Sequence, residues 1–184
     1  RRTNGVDIRD SIAIRRALAD IYSDAGRIDY VVCTAGVLVR EPLKHMGPQA
    51  IDDSIDVNFR GAINVSLASL EYLQASGGQL LHFTSSSYTR GRAYYSIYSA
   101  TKAAVVNFVQ AIAEEWATFG IRVNCLNPER TRTPMREANF GVEPDDTLLS
   151  PRVVAEAAVN VLLSPYTGQV IDVKLADRPR AASE

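Results

Sequence analysis

Four short apolar runs constrain this chain more than any other feature. They are IDYVVCTAG (28–36), QLLHFTSS (79–86), IRVNCLNP (121–128) and GQVIDVKLA (168–176). Apolar runs of this length, stopped by Gly, a hydroxyl residue or Pro, read as strands buried on both faces. Each is separated from the next by far more chain than a hairpin needs, and long connections join parallel strands by crossovers.

The connections carry helical spacing. Ile8, Ile12, Ile14, Leu18 and Ile21 mark a helix over 8–25, which Gly26 can cap. Residues 48–75 read as a short helical piece followed by a long one through Asn58 to Leu73, broken at Gly77-Gly78. A further long helix is expected from about Ser96 to Phe119, closed by Gly120, and a short one over 151–163 with Pro151 near its start. The segment 129–150 is rich in Arg, Pro and Asp and reads as irregular. Helices alternating with strands predict an α/β fold, a Rossmann-like, doubly wound parallel sheet with helices on both faces. One domain is expected over 1–176, followed by a tail at 177–184.

Composition narrows the function classes. The 184 residues are 46% hydrophobic, enough for a sizeable core, and carry 20 basic and 21 acidic side chains, a net charge of -1. That balance offers no general field for nucleic acid or a membrane surface. No apolar run is long enough to span a bilayer, and no signal peptide is visible, so a cytoplasmic location is expected. Cys33 and Cys125 lie inside apolar runs and are expected to be reduced core residues. His45 and His82 have no partners at metal-ligand spacing, so no metal is expected.

In a parallel α/β sheet, ligands bind beyond the carboxyl ends of the strands. The strongest chemical signal near those ends is Tyr98 with Lys102, four apart on one helix face. A positive charge about 4 Å from a phenol, at an effective dielectric near 20, is enough to lower its pKa from about 10 toward 7. The pair is therefore a candidate proton-transfer device; the alternative is a solvent-facing Tyr and Lys. Of the 20 basic residues only Lys44, Lys102 and Lys174 are lysines, which favours a specific use for Lys102. Ser85 ends the second run, where its hydroxyl can meet a substrate carbonyl; the alternative is that Ser85, Ser86 or Ser87 caps loop backbone. Asn58 is a candidate for holding a helix irregularity or a water.

The set TAG, VNFRG, FTSS, YSATK and GIRVNCLNP, in that order, resembles the short-chain dehydrogenase/reductase family over about residues 5 to 175. The resemblance implies a carbonyl reductase. Tyr98 would be the acid. Lys102 would lower its pKa and bind the nicotinamide ribose. Ser85 would polarise the carbonyl, and Asn58 would anchor a relay water. Thr34, Ala35 and Gly36 would border the cofactor, Thr131 and Thr133 would meet its carboxamide and phosphate, and Asp7 its adenine; Asp7 reads equally well as a helix N-cap. NADP is the expected cofactor, with NAD as the alternative. There are departures: Cys33-Thr34 replaces an Asn pair, and Glu129 follows Pro128 in place of Gly. The family's opening strand, Gly-rich turn and helix have no counterpart. Residues 1–7 read as the end of its third strand, so the domain is expected to be truncated at the front, and either to continue upstream in the native protein or to be inactive as a fragment. Without its central strand, IDYVVC is expected to present an open apolar edge.

Tyr88, Arg90, Arg92 and Tyr94 follow the second run, and Arg130, Arg132 and Arg136 the third. Converging Arg residues suit a phosphorylated small-molecule substrate; the alternatives are ordinary surface Arg in an Arg-rich chain, or Arg for the cofactor's own phosphates. SSSYTRGRAYYSIYSATKAAVVNF and NPERTRTPMR further resemble the reductase half of bifunctional ribitol-5-phosphate cytidylyltransferase/reductase proteins. That implies reduction of ribulose 5-phosphate with NADPH and a cytidylyltransferase domain upstream. The alternatives are reduction of another ketone or acyl substrate, or a non-catalytic module. Homo-oligomers through the long helices at about 56–75 and 96–119 are expected, with Ala104, Val105, Phe108, Ile112 and Trp116 partly at the interface.

Overall fold

The structure, a computed structural model, describes residues 5–177. Helix α1 spans Ser11–Ala25. It begins where the Asp10 carboxylate accepts from the amides of Ile12 and Ala13, and ends at Gly26, whose φ of 76° suits only a residue without Cβ. The N-cap is thus Asp10 and not Asp7, because Asp7 turns to Arg9, which also reaches Asp53. The expected strand end at 1–7 lies partly outside the described residues, and no strand forms over 5–7.

Four strands follow: β1 (Tyr30–Cys33), β2 (Gln79–Phe83), β3 (Arg122–Pro128) and β4 (Val170–Val173). They pair in that spatial order, all parallel. The long crossovers are α2 (Pro48–Ile55) running into α3 (Gly61–Ser76), then α4 (Ser96–Trp116), and α6 (Pro151–Leu162) before β4. The strands alternate as burial on both faces requires. Leu80, Val123 and Cys125 join a core with Ala62, Val65 and Leu73 of α3 and Val105, Val109 and Trp116 of α4. Leu81, Leu126 and Val173 meet Val154, Ala158 and Val161 of α6 in a second core. Each fully buried Leu in these layers is worth about 1.5–3 kcal/mol.

Three features depart from the sequence reading. Between α2 and α3, residues Asp56–Arg60 form a π turn, so the helix is continuous but irregular around Asn58. Within the segment expected to be irregular, Thr133 caps a short helix, α5 (Pro134–Phe140), and Gly141 ends it at φ 75°. Val105, Ile112 and Trp116 are 1%, 6% and 5% exposed and belong to the core of a single chain, so the expected interface role does not hold for them. The expected open edge is present: among the described residues β1 pairs only with β2, and Tyr30 and Val32 are 45% and 42% exposed.

Both cysteines are buried and free. Among the described residues no helix is long and apolar enough to cross a membrane, and no cluster of three His, Cys, Asp or Glu side chains is placed to hold a metal.

Candidate active site

The C-terminal ends of β1, β2 and β3 open onto one cavity of 340 Å³. Ser85, at the end of β2, and Tyr98 and Lys102, one turn apart on α4, all line it. Thr34 and Gly36 after β1, and Arg130, Thr131 and Thr133 after β3, complete much of its wall. Ala35, Asp7, Arg90, Arg92, Tyr94 and Arg132 do not line it. Arg132 pairs with Asp145 at 3.1 Å beside a smaller cavity of 110 Å³. The wall also contains Tyr95, Arg136 and Phe140. Tyr95 and Phe140 carried no signal in the sequence beyond being aromatic.

Asn58 stands behind the wall. Its Oδ1 accepts from the Val37 amide at 2.8 Å, and its Nδ2 donates to the Val37 carbonyl at 2.9 Å and to Thr101 Oγ1 at 3.3 Å. The π turn presents this side chain sideways to the turn after β1, so one residue locks the backbone beside Gly36 to α4. Gly36 makes the approach possible: a Cβ there would lie 3.2 Å from Asn58 Oδ1 and 3.5 Å from Lys102 Nζ. Thr84 Oγ1 donates to the Lys102 carbonyl at 2.9 Å, tying α4 to the end of β2.

Lys102 is 5% exposed. Its ammonium donates to the Phe83 carbonyl at 2.9 Å and lies 5.7 Å from the centre of the Tyr98 ring. Burial pushes its pKa below the ordinary lysine range. Beneath it lies an in-register row across the sheet, Cys33, His82 and Cys125. Burial pushes the Cys125 thiol up to about 12 and the Cys33 thiol up as well, and it pushes His82 down to about 3. The floor under Lys102 is therefore uncharged at neutral pH.

The electrostatics of Tyr98 differ from the sequence argument. Burial raises its pKa, and a hydrogen bond from Ser85 pulls it back only in part. The charge of Lys102 does not dominate, because its ammonium is directed to the Phe83 carbonyl and is itself disfavoured by burial. The phenol is accordingly held protonated at neutral pH. Ser85 also serves the loop, accepting from the Ser87 amide at 3.4 Å and the Ser87 hydroxyl at 3.3 Å, so the capping reading holds for a residue that lines the cavity. Glu129 lines the cavity as well, and its carboxylate accepts from the Leu175 amide at 2.8 Å.

A half-buried, protonated phenol beside a hydroxyl donor and an ammonium can protonate an oxygen that is gaining negative charge. Comparison with known proteins finds relatives along most of the chain. A protein of Haemophilus influenzae, the bifunctional ribulose 5-phosphate reductase/CDP-ribitol pyrophosphorylase Bcs1, is 51% identical over 176 residues, 96% of this chain and 37% of that protein. An uncharacterized oxidoreductase of Staphylococcus epidermidis is 32% identical over 160 residues, 86% of this chain and 68% of its own length. The solved structure of 3-ketoacyl-(acyl-carrier-protein) reductase from Brucella melitensis, complexed with NADH, is similar with a TM-score of 0.83 at 29% identity, over 91% of this chain and 74% of that one. ElxO with NADP bound, at 23% identity and a TM-score of 0.81, shares the fold. The chain thus spans little more than a third of the Haemophilus relative. The family model for short chain dehydrogenases matches residues 2–142, most of the sequence, and the chain belongs to that family.

Proposed function

We propose that this chain carries the acid and the substrate mouth of a nicotinamide-dependent reductase whose substrate is a phosphorylated ketose, ribulose 5-phosphate reduced to ribitol 5-phosphate. One observation carries the reading: Ser85, Tyr98 and Lys102 meet in one cavity at the strand ends, with Asn58 locked behind them. The 51% identity to a ribulose 5-phosphate reductase supports the substrate.

The residues fit a nicotinamide nucleotide. Lys102 uses one N–H on Phe83 and has two more donors. Gly36 keeps the backbone close, and Thr34, Thr131 and Thr133 bring hydroxyls to the same cavity. When bound, the nicotinamide supplies a hydride to the carbonyl carbon. Tyr98 gives its proton to the carbonyl oxygen, and its raised pKa keeps that proton available at neutral pH. Ser85 donates to the same oxygen and orients it. Lys102 holds the ribose side of the cavity, and Asn58 fixes the turn at Val37 with one Oδ1 lone pair left for a relay water. Asp7 lies outside this cavity and is held by Arg9; it would meet the adenine of the bound nucleotide. NADPH is the preferred cofactor in this reading, with NADH as the competitor to test. A cytidylyltransferase domain in the parent chain is supported by the relative's double name, and association through α3 and α4 by Leu67, 53% exposed on α3.

In the full-length protein, Tyr98→Phe is expected to lower turnover by about 10²–10⁴, the usual weight of one general acid, while cofactor binding stays within about threefold. Unchanged turnover would remove Tyr98 from the chemistry. A panel of ribulose 5-phosphate, ribulose and an acyl-carrier ketone, each with NADPH and NADH, tests substrate and cofactor together.

A further inference from the structure

The five Arg residues that sequence position brings to the substrate mouth are not equivalent in space. Arg90, Arg92 and Arg132 do not line the cavity that holds Tyr98, whereas Arg136 of α5 does. Its guanidinium is also the best held of the set. Nε and Nη2 donate to the two oxygens of Glu143 at 2.6 and 2.8 Å, in a pair whose side chains are only 20% and 19% exposed. The plane lies 3.7 Å from the centre of the Phe140 ring. The backbone amide of Arg136 is tied to Thr133 Oγ1 as the cap of α5.

The same ring links Arg136 to the acid. Phe140 meets Tyr95 edge-on at 6.1 Å, and Tyr95 meets Tyr98 edge-on at 6.2 Å. Across the mouth, Arg40 approaches Phe140 at 5.1 Å and donates to the Asn139 carbonyl at 3.4 Å, steadying the end of α5 from the opposite wall. Arg130 lines the cavity too, exposed, and its charge acts on Glu143.

A guanidinium has five N–H donors in a planar fork. Glu143 takes one from Nε and one from Nη2. The Nη1–Nη2 edge is left with its donors free among the described residues, in the geometry that grips two oxygens of a phosphate. A carboxylate on the far edge fixes the plane and keeps the local charge from repelling Arg130. Resting on the proposed reduction of a phosphorylated sugar, we infer that Arg136, oriented by Glu143 and stacked on Phe140, is the residue that selects a phosphorylated over an unphosphorylated carbonyl substrate, with Glu143 as its positioning residue.

The test uses the full-length protein with NADPH, comparing ribulose 5-phosphate with ribulose, and inorganic phosphate as a competing probe. Arg136→Met is expected to lower the preference for the phosphorylated sugar, as a ratio of kcat/KM values, by about 10- to 100-fold, the scale of one or two charge-assisted hydrogen bonds. The loss should fall mainly on KM, and inhibition by phosphate should weaken in parallel. The exchanged double variant Arg136→Glu with Glu143→Arg keeps an ion pair for the fold but turns an acid to the cavity, and it should not recover the preference. An unchanged preference in Arg136→Met, or full recovery in the exchanged variant, would reduce the pair to a structural bond and overturn the inference. If the wild type prefers an unphosphorylated carbonyl yet phosphate inhibits it through Arg136, the anion site stands and the sugar-phosphate reading falls. If phosphate neither inhibits nor improves a substrate, the inference falls.

Discussion

Acid should destabilise this fold through one identifiable imidazole. His82 is 1% exposed in the middle of the sheet. Ser66 Oγ donates its proton to the Ala62 carbonyl at 2.8 Å, so at its 2.9 Å contact with His82 it must accept, and the ring is the neutral tautomer with hydrogen on Nε2. Burial, and after it the charge of Lys102, lowers the pKa from the ordinary 6.5 to about 3. Between those values the unfolded chain binds a proton that the folded chain refuses. Stability therefore rises with pH across the window and is lost as pH falls from 6.5 toward 3. At about 1.4 kcal/mol per pH step, the loss from this group by pH 4 is about 3 kcal/mol. Urea unfolding at pH 7 and pH 4 measures it, comparing the wild type with His82→Gln, which retains an amide donor for Ser66 and cannot titrate. Carboxylates contribute alike to both proteins, so the wild type should lose about 3 kcal/mol more than the variant. Equal losses would mean that His82 titrates normally in the fold, and that the floor beneath Lys102 is not electrically silent.

Two further perturbations probe the wall behind the acid. Asn58→Ala removes three hydrogen bonds to Val37 and Thr101 and should cost about 2–4 kcal/mol, seen as a fall in Tm of roughly 4–16 °C with a loss of turnover; a fall under about 2 °C would contradict the locking role. Gly36→Ala places a Cβ 3.2 Å from Asn58 Oδ1 and 3.5 Å from Lys102 Nζ, and the crowding should cost roughly 1–3 kcal/mol and lower kcat, with unaltered kinetics as the refuting result.

The parallel sheet was legible because its strands are buried on both faces, and continuous apolar runs such as QLLHF have few other uses. Helix ends were legible where Gly26, Gly77 and Gly120 sit at positive φ. Helix α5 was not, although Thr133-Pro134 is a good start signal, because seven residues are too few to show a period. The Tyr98–Lys102 pair could be found from spacing, but its electrostatics could not: i to i+4 says that two side chains share a face and nothing about how deeply that face is buried. The Arg cluster illustrates the same limit. Arg130, Arg132 and Arg136 lie close together along the chain, yet Asp145 draws one of them aside and Glu143 fixes another at the cavity.

The π turn at Asp56–Arg60 has a geometric consequence for that cavity. An α-helix advances about 100° per residue, so a turn holding an extra residue is a phase slip. The axis runs on from α2 to α3 while the angular register does not, and Ser54 is turned inward at 1% exposure beside an Ile55 that is 38% exposed. The backbone hydrogen bonds run through the slip, so it is a fixed offset between the face that α2 presents and the face that α3 presents. At the slip Asn58 is held by Val37 and Thr101, while Arg9 grips Asp53 of α2 and α2 packs on α4. The wall takes its angle from that offset, and the Asn58 amide ties the offset to the turn after β1.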